Sequence, residues 1–206
     1  MSAPAFTPTP IAFDPADPVE RRFAFLMEAD RLKEVERAGR VAGGRPENSA
    51  EHSWHLALYA LALAPEAPEG VSLDRVIRML LIHDLVEIDA GDTPFHGEKR
   101  PDLDAIEDAA AARIFGLLPE AEGAALLALW REFEAAESPD ARFAKALDRV
   151  QPVLLNLATN GGTWPDFNVG EAQVLDRCGP PITKGAPGLW PWIRDRIKAH
   201  FAGRAG

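Results

Sequence analysis

The residues best suited to chemistry are His83 and Asp84, a doublet inside RMLLIHDLVEIDAGD (78–92) and flanked by Leu80, Leu81, Ile82, Leu85 and Val86. An ionic group in apolar surroundings is costly unless it pairs, loses its charge or meets a cation. The doublet therefore reads either as metal ligands or as a helix face turned to water. At about 100° per residue, Glu87 lies about 40° around a helix from His83 and one turn along, angularly between His83 and Asp84. From there its carboxylate can hang over a metal held by the pair, as a base or a water-orienting group. His52 occupies the first turn of the preceding segment, ENSAEHSWH (47–55), and His55 follows one turn later, better placed to orient a neighbour than to ligate. Asp148 is again a carboxylate in an apolar helical stretch, FAKALDRVQPVLL (143–155). Two imidazoles and two carboxylates form a mixed N/O donor set that suits Mn, Co, Fe, Ni, Zn or Mg, and differs from the Cys-rich set of a structural zinc.

Those residues need helices to position them. Residues 1–18 are rich in Pro, Ala and Thr and read as an irregular arm. Apolar residues then recur at helical spacing from Val19 to about Gly39 (Phe23, Leu26, Met27, Leu32, Val35). GRVAGGRP (39–46) breaks any helix and reads as a loop. Asn48 or Ser49 caps the next helix, with Glu51 placed for a capping box. A helix capped by Ser72 is expected to run through the His-Asp doublet to Gly91. Further helices are expected at about 103–115, 120–136, 140–156 with an interruption at Pro152, 171–176, and 189–201. Residues 160–170 form either a mobile lid or a fixed turn. No segment alternates with period two, and no repeat or linker is visible. The expected fold is all-α: one helical bundle over residues 19–206 with a buried metal site.

Composition narrows the function. The 206 residues carry a formal charge of −10, with 47% hydrophobic and 26% charged residues. An acidic surface without a Lys/Arg block disfavours nucleic acid as partner, while leaving room for a local basic pocket that binds a small phosphate. Arg45 and Lys33 are candidates for such a pocket. A single cysteine, Cys178, excludes an intrachain disulfide and fits a reducing cytoplasm. No signal-peptide pattern opens the chain and no apolar run reaches membrane-span length, so neither export nor a membrane is expected. Trp54 is expected in the core, and His96 and His200 on the surface.

The order His52, His83-Asp84, Asp148 resembles the HD superfamily of metal-dependent phosphohydrolases. RLKEV (31–35), RPENSAEHSWHLAL (45–58), LLIHDLVEIDAGD (80–92) and ARFAKALDRVQPVLLN (141–156) narrow the resemblance to the bacterial 5′-deoxynucleotidase group. It covers roughly residues 20–200. It implies four metal ligands, His52, His83, Asp84 and Asp148, with Glu87 and Asp92 catalytic, and it favours a homodimer. The deoxynucleotidases carry an Arg-Trp pair before the first His that reads the sugar. This chain has Arg37, Arg40 and Arg45 in that region and no Trp. The activity so implied is hydrolysis of nucleoside 5′-monophosphates by attack of a metal-activated water. A phosphodiesterase or guanosine tetraphosphate-type hydrolase of the same superfamily, or a silent nucleotide-binding module, are the alternatives.

Overall fold

A computed structural model describes residues 9–93, 97 and 100–204. Helix α1 (Pro18–Asp30) starts where Asp17 accepts N–H bonds from Val19 and Glu20, with Pro18 in the first turn. It ends nine residues short of Gly39. A 3-10 turn, Arg31–Glu34, follows, and then an antiparallel hairpin of β1 (Glu36–Arg40) and β2 (Pro46–Asn48). Leu32 and Val35 extend the helical pattern of α1 because i,i+3 spacing serves a 3-10 turn as well as an α-helix. Of the stretch read as a loop, Gly39, Arg40 and Pro46 belong to the strands and residues 41–45 form the hairpin tip, turned by Gly44 at φ 87°. Its strands are too short and too irregular in register to show alternation.

Asn48 caps α2 (Ser49–Ala62) in a reciprocal capping box with Glu51. Helix α3 (Leu73–Ile82) does not continue through the His-Asp doublet. The chain tightens into a 3-10 turn at His83–Val86 and resumes as the single-turn α4 (Glu87–Ala90), stopped by Gly91 at φ 72°. Helices α5 (Leu103–Phe115), α6 (Glu120–Ala135), α7 (Pro139–Ala158), α8 (Glu171–Gly185) and α9 (Trp190–Arg204) complete the fold. Helix α7 continues on both sides of Pro152, which removes the helical N–H donor from the Asp148 carbonyl. The helix expected at 171–176 runs on as α8 to Gly185, through Pro180 and Pro181. Packing outweighs propensity there. Gly185 lies so close to α7 that a Cβ would sit 1.9 Å from the Arg142 carbonyl oxygen, and Gly179 rests on the Trp190 ring.

Three apolar clusters hold these elements. The first joins α2, α3, α6 and α7 through Leu56, Met79, Leu80, Phe133, Phe143 and Leu147. A second, centred on Val153, Val174, Ile182 and Ile197, joins α7 to α8 and α9 and takes in Trp164. Trp164, only 1% exposed, anchors the 160–170 segment to this cluster. His200 packs edge-on to that ring, 5.3 Å between centroids, instead of lying on open surface. The third cluster seats Leu85 and Val86 of the 3-10 turn against Ile114, Phe115 and Trp130. Trp54 is outside all of them, 60% exposed, because it faces away from the bundle on α2. His96 lies outside the described residues.

Candidate metal centre

His52 comes from α2 and His83 from the 3-10 turn that follows α3, with ring centroids 5.6 Å apart. One ligand atom from each of His52, His83 and Asp84 lies within 4.8 Å of the others. The Oδ1 atom of Asp148, from α7, is 3.0 Å from His52 Nε2 and 3.7 Å from His83 Nε2. Three of the four residues expected to ligate thus form one tight group, and Asp148 approaches both imidazoles.

The imidazole of His83 tests whether a cation fits. Its Nδ1 lies 2.9 Å from the Leu80 carbonyl oxygen, an acceptor only, so Nδ1 donates, and in the neutral ring the lone pair is on Nε2. That Nε2 is buried without a hydrogen-bond partner, although Asp84 Oδ1 is 3.0 Å away. The separation is short but the alignment is wrong for a hydrogen bond. A lone pair facing a carboxylate oxygen at this range needs positive charge between them, which a divalent ion supplies. Trp130 Nε1–H donates to the His83 carbonyl and the Phe133 ring packs edge-on to the imidazole, so the ring's orientation is fixed.

Electrostatics around this point are strongly uneven. Burial raises the Glu87 carboxyl well above its ordinary range, the Asp84 charge adds to this, and Arg37 offsets it. Burial likewise raises Asp92, against the opposing Arg37 charge and the Ala38 N–H. Asp148 goes the other way: burial would raise it, but Arg149, the bond to His52 and the nearby His83 imidazole hold it well below the carboxylate range.

Burial and Arg37 lower His52, yet Asp148, Glu47 and Asp84 outweigh them and lift it to about 9 in the metal-free protein. A folded-state value above the ordinary 6.5 means the folded chain binds the extra proton. The stability this supplies is full below pH 6.5 and is lost as pH rises through about 9. Metal-free protein should therefore lose up to about 3.5 kcal/mol across that window, at about 1.4 kcal/mol per unit, read as a falling melting temperature. Binding a divalent cation at neutral pH should release a proton, read by calorimetry in buffers of differing ionisation enthalpy. Release of no proton would place the imidazole's titration elsewhere.

Arg37, 15% exposed, stood in the sequence only as one of three arginines near the first His, with no site role given to it. Its Nη1 lies 2.8 Å from Asp84 Oδ2 and 3.6 Å from both Glu87 Oε1 and Asp92 Oδ1. One guanidinium thus gathers three carboxylates from separate turns. Its position on β1 was hidden by reading that stretch as the end of a helix. Glu47 and Gln151 were missed too, although a Gln one turn after Asp148 on an apolar helix face was a visible signal.

The two cations proposed from sequence lie elsewhere. Lys33 pairs with Asp30 on the exposed 3-10 turn, and Arg45 pairs with Glu51 at 2.7 Å on the surface. Neither lines the cavity, because the hairpin points Arg45 along α2 and outward. The cavity beside the histidines has a volume of about 300 Å³ and is lined by Arg37, Glu87, Asp92, Lys145, Arg149 and Arg177 among others. A narrower recess of about 50 Å³ adjoins it, sharing Arg37, Asp92 and Arg149 and bounded by Ala38, Gly39 and Phe167. His55 does not join the histidine–carboxylate cluster: its Nδ1 meets the Gln151 amide at 3.2 Å.

A solved structure carries the same arrangement of helices. The structure of a predicted metal-dependent phosphohydrolase from Magnetospirillum magnetotacticum MS-1 superposes with a TM-score of 0.86 at 47% identity, over 90% of this chain and 94% of that one. The 5′-deoxynucleotidase HDDC2 of Bos taurus is 33% identical over 133 residues, 63% of this chain and 63% of its own length. A 5′-deoxynucleotidase of Enterobacter sp. (strain 638) is 29% identical over 122 residues, 55% of this chain and 61% of its own length. The chain thus spans less than two thirds of these curated relatives. No described helix is long and apolar enough to cross a membrane. The family profile described as HD domain matches residues 29–190, and the chain belongs to the HD-domain family.

Proposed function

We propose that this chain is a metal-dependent phosphomonoester hydrolase acting on nucleoside 5′-monophosphates. The observation that carries the proposal is a histidine–carboxylate cluster opening onto a cavity that holds both raised carboxyl groups and cationic side chains. His52, His83, Asp84 and Asp148 would hold a divalent cation from the Mn, Co, Fe, Ni, Zn and Mg set. When bound, such an ion would polarise a phosphoryl oxygen and lower the pKa of a water towards neutrality.

The remaining work belongs to the chain's own residues. Glu87, whose Oε2 accepts a 2.5 Å bond from the Ser49 hydroxyl, orients the attacking water and takes its proton. Asp92, raised by burial, is suited to hand a proton to the leaving 5′-oxygen. Arg37 holds both carboxylates in place, and Lys145 and Arg149 face the cavity where phosphate charge must be met. At the position following Arg37 stands Ala38, with Gly39 next, so that side of the recess offers little bulk to exclude a ribose 2′-hydroxyl.

Named relatives that are 5′-deoxynucleotidases support the substrate class. The proposal includes a homodimer in the cytoplasm. An uncovered apolar stripe on α2 (Trp54, Leu58, Leu61) supports the dimer, and the single buried Cys178 fits a reducing compartment.

The decisive test strips the purified protein of metal and measures phosphate release from ribo- and deoxyribonucleoside 5′-monophosphates with each divalent cation in turn. Metal-dependent release from both sugar series is expected, by a species of twice the chain mass in light scattering. Stoichiometric metal binding with no release from any nucleotide would refute the substrate class.

A further inference from the structure

We propose that Gln151, with Glu47 behind it, is a positioning residue that fixes which nitrogen of His52 faces the metal centre. The inference rests on the metal site proposed above and is drawn from hydrogen-bond polarity. His52 and Gln151 are fully buried, and Glu47 is 3% exposed. The Gln151 Nε2 lies 2.7 Å from Glu47 Oε1, and a carboxylate oxygen can only accept. This assigns the amide nitrogen to the Glu47 side and turns Oε1 towards His52 Nδ1, 3.0 Å away. An amide oxygen also can only accept, so Nδ1 carries the hydrogen. The lone pair that accepts a cation then belongs to Nε2, the atom 3.0 Å from Asp148 Oδ1.

The reversed amide fails twice. It would set two oxygens against each other at the 2.7 Å separation of Gln151 and Glu47. It would also make Nδ1 an acceptor and put an N–H on Nε2, aimed at the place a cation must occupy. His55 Nδ1, 3.2 Å from the amide nitrogen, takes its second hydrogen and leaves the Gln151 amide fully engaged. The polarity thus runs from Glu47 on β2, through Gln151 on α7, to His52 on α2. It ties three elements to one tautomer. On His83 the Leu80 carbonyl performs the same selection, so both imidazoles present Nε2 to the same point.

The test uses metal-free full-length protein and Zn²⁺ alone, with affinity read by calorimetry, so it does not depend on the substrate. Gln151→Leu removes the acceptor and Gln151→Glu sets a second carboxylate against Glu47. Each should weaken Zn²⁺ binding about 10–100-fold. The exchanged pair, Glu47→Gln with Gln151→Glu, restores a donor facing an acceptor and an acceptor facing Nδ1, and should recover most of that loss. A residue that merely filled space would show no such recovery. Wild-type affinity in Gln151→Leu would overturn the inference. So would an exchanged pair that bound no more tightly than Gln151→Leu, an outcome that stays informative if Gln151→Glu fails to fold. Absence of Zn²⁺ binding by the unsubstituted protein would remove the metal centre itself, a separate failure.

Discussion

Asp84→Ala should reduce phosphate release to the background rate and abolish stoichiometric metal binding, while leaving the helical fold intact. Asp84 Oδ1 faces the unpartnered His83 Nε2 at 3.0 Å, and its Oδ2 lies 3.9 Å from His52 Nε2. Removing it takes away the carboxylate that both imidazoles face across the proposed site. It also releases the shortest pairing of Arg37, whose guanidinium would swing towards Glu87 and Asp92 and reset both. The backbone should tolerate the change, since Asp84 sits in a 3-10 turn seated by Leu85 and Val86. His83→Ala and Asp148→Ala should also lose metal, with an added cost to folding. Asp148→Ala strands a buried His52 and removes one pairing of Arg149, which by the usual cost of a broken buried pair is on the order of 3 kcal/mol. Metal analysis, circular dichroism and turnover on the three variants separate these effects. Full activity in Asp84→Ala would sink the metal assignment.

The doublet was legible in the sequence because two ionic residues interrupt an apolar run, and the start of α2 was legible because a capping box is a local device. Asp148 stood out for the same reason as the doublet. What could not be read was direction. Lys33 and Arg45 have the right charge for phosphate, but local partners Asp30 and Glu51 hold them on the surface. Arg37, of the same residue type and region, points inward because β1 carries it there.

Apolar spacing cannot distinguish an α-helix from a 3-10 turn over four residues, so the tightening at His83 was invisible. That tightening alters the angular argument that placed Glu87, since residues in a 3-10 turn advance by about 120° rather than 100°. Glu87 still lines the cavity with Asp84, held there by tertiary contacts with Ser49 and Arg37. The course of α8 through Pro180 and Pro181 was equally hidden, because the close approach at Gly185 that holds it belongs to the packed state.

Glu87→Gln should keep the metal and lose most of the rate, in the range of about 10²- to 10⁴-fold that a positioned base contributes. Glu87 hangs beside the cluster: its nearest cation is Arg37 at 3.6 Å and its Oε2 is taken by Ser49. Affinity for the cation should therefore change far less than in Asp84→Ala. If instead metal is lost, Glu87 is a ligand and the division of labour proposed here is wrong.

The pH profile gives an independent check on the same residue. A base must be ionised to act, so kcat/KM should rise with pH through the carboxyl's own value, which burial sets above the ordinary carboxylate range. Glu87→Gln should erase that acid limb. Ser49→Ala removes the hydroxyl that stabilises the ionised form, so it should move the limb to higher pH while preserving the plateau rate. An unchanged limb in Ser49→Ala would show that the titrating group is another. Asp92, the other raised carboxyl in the cavity, would then be the residue to replace.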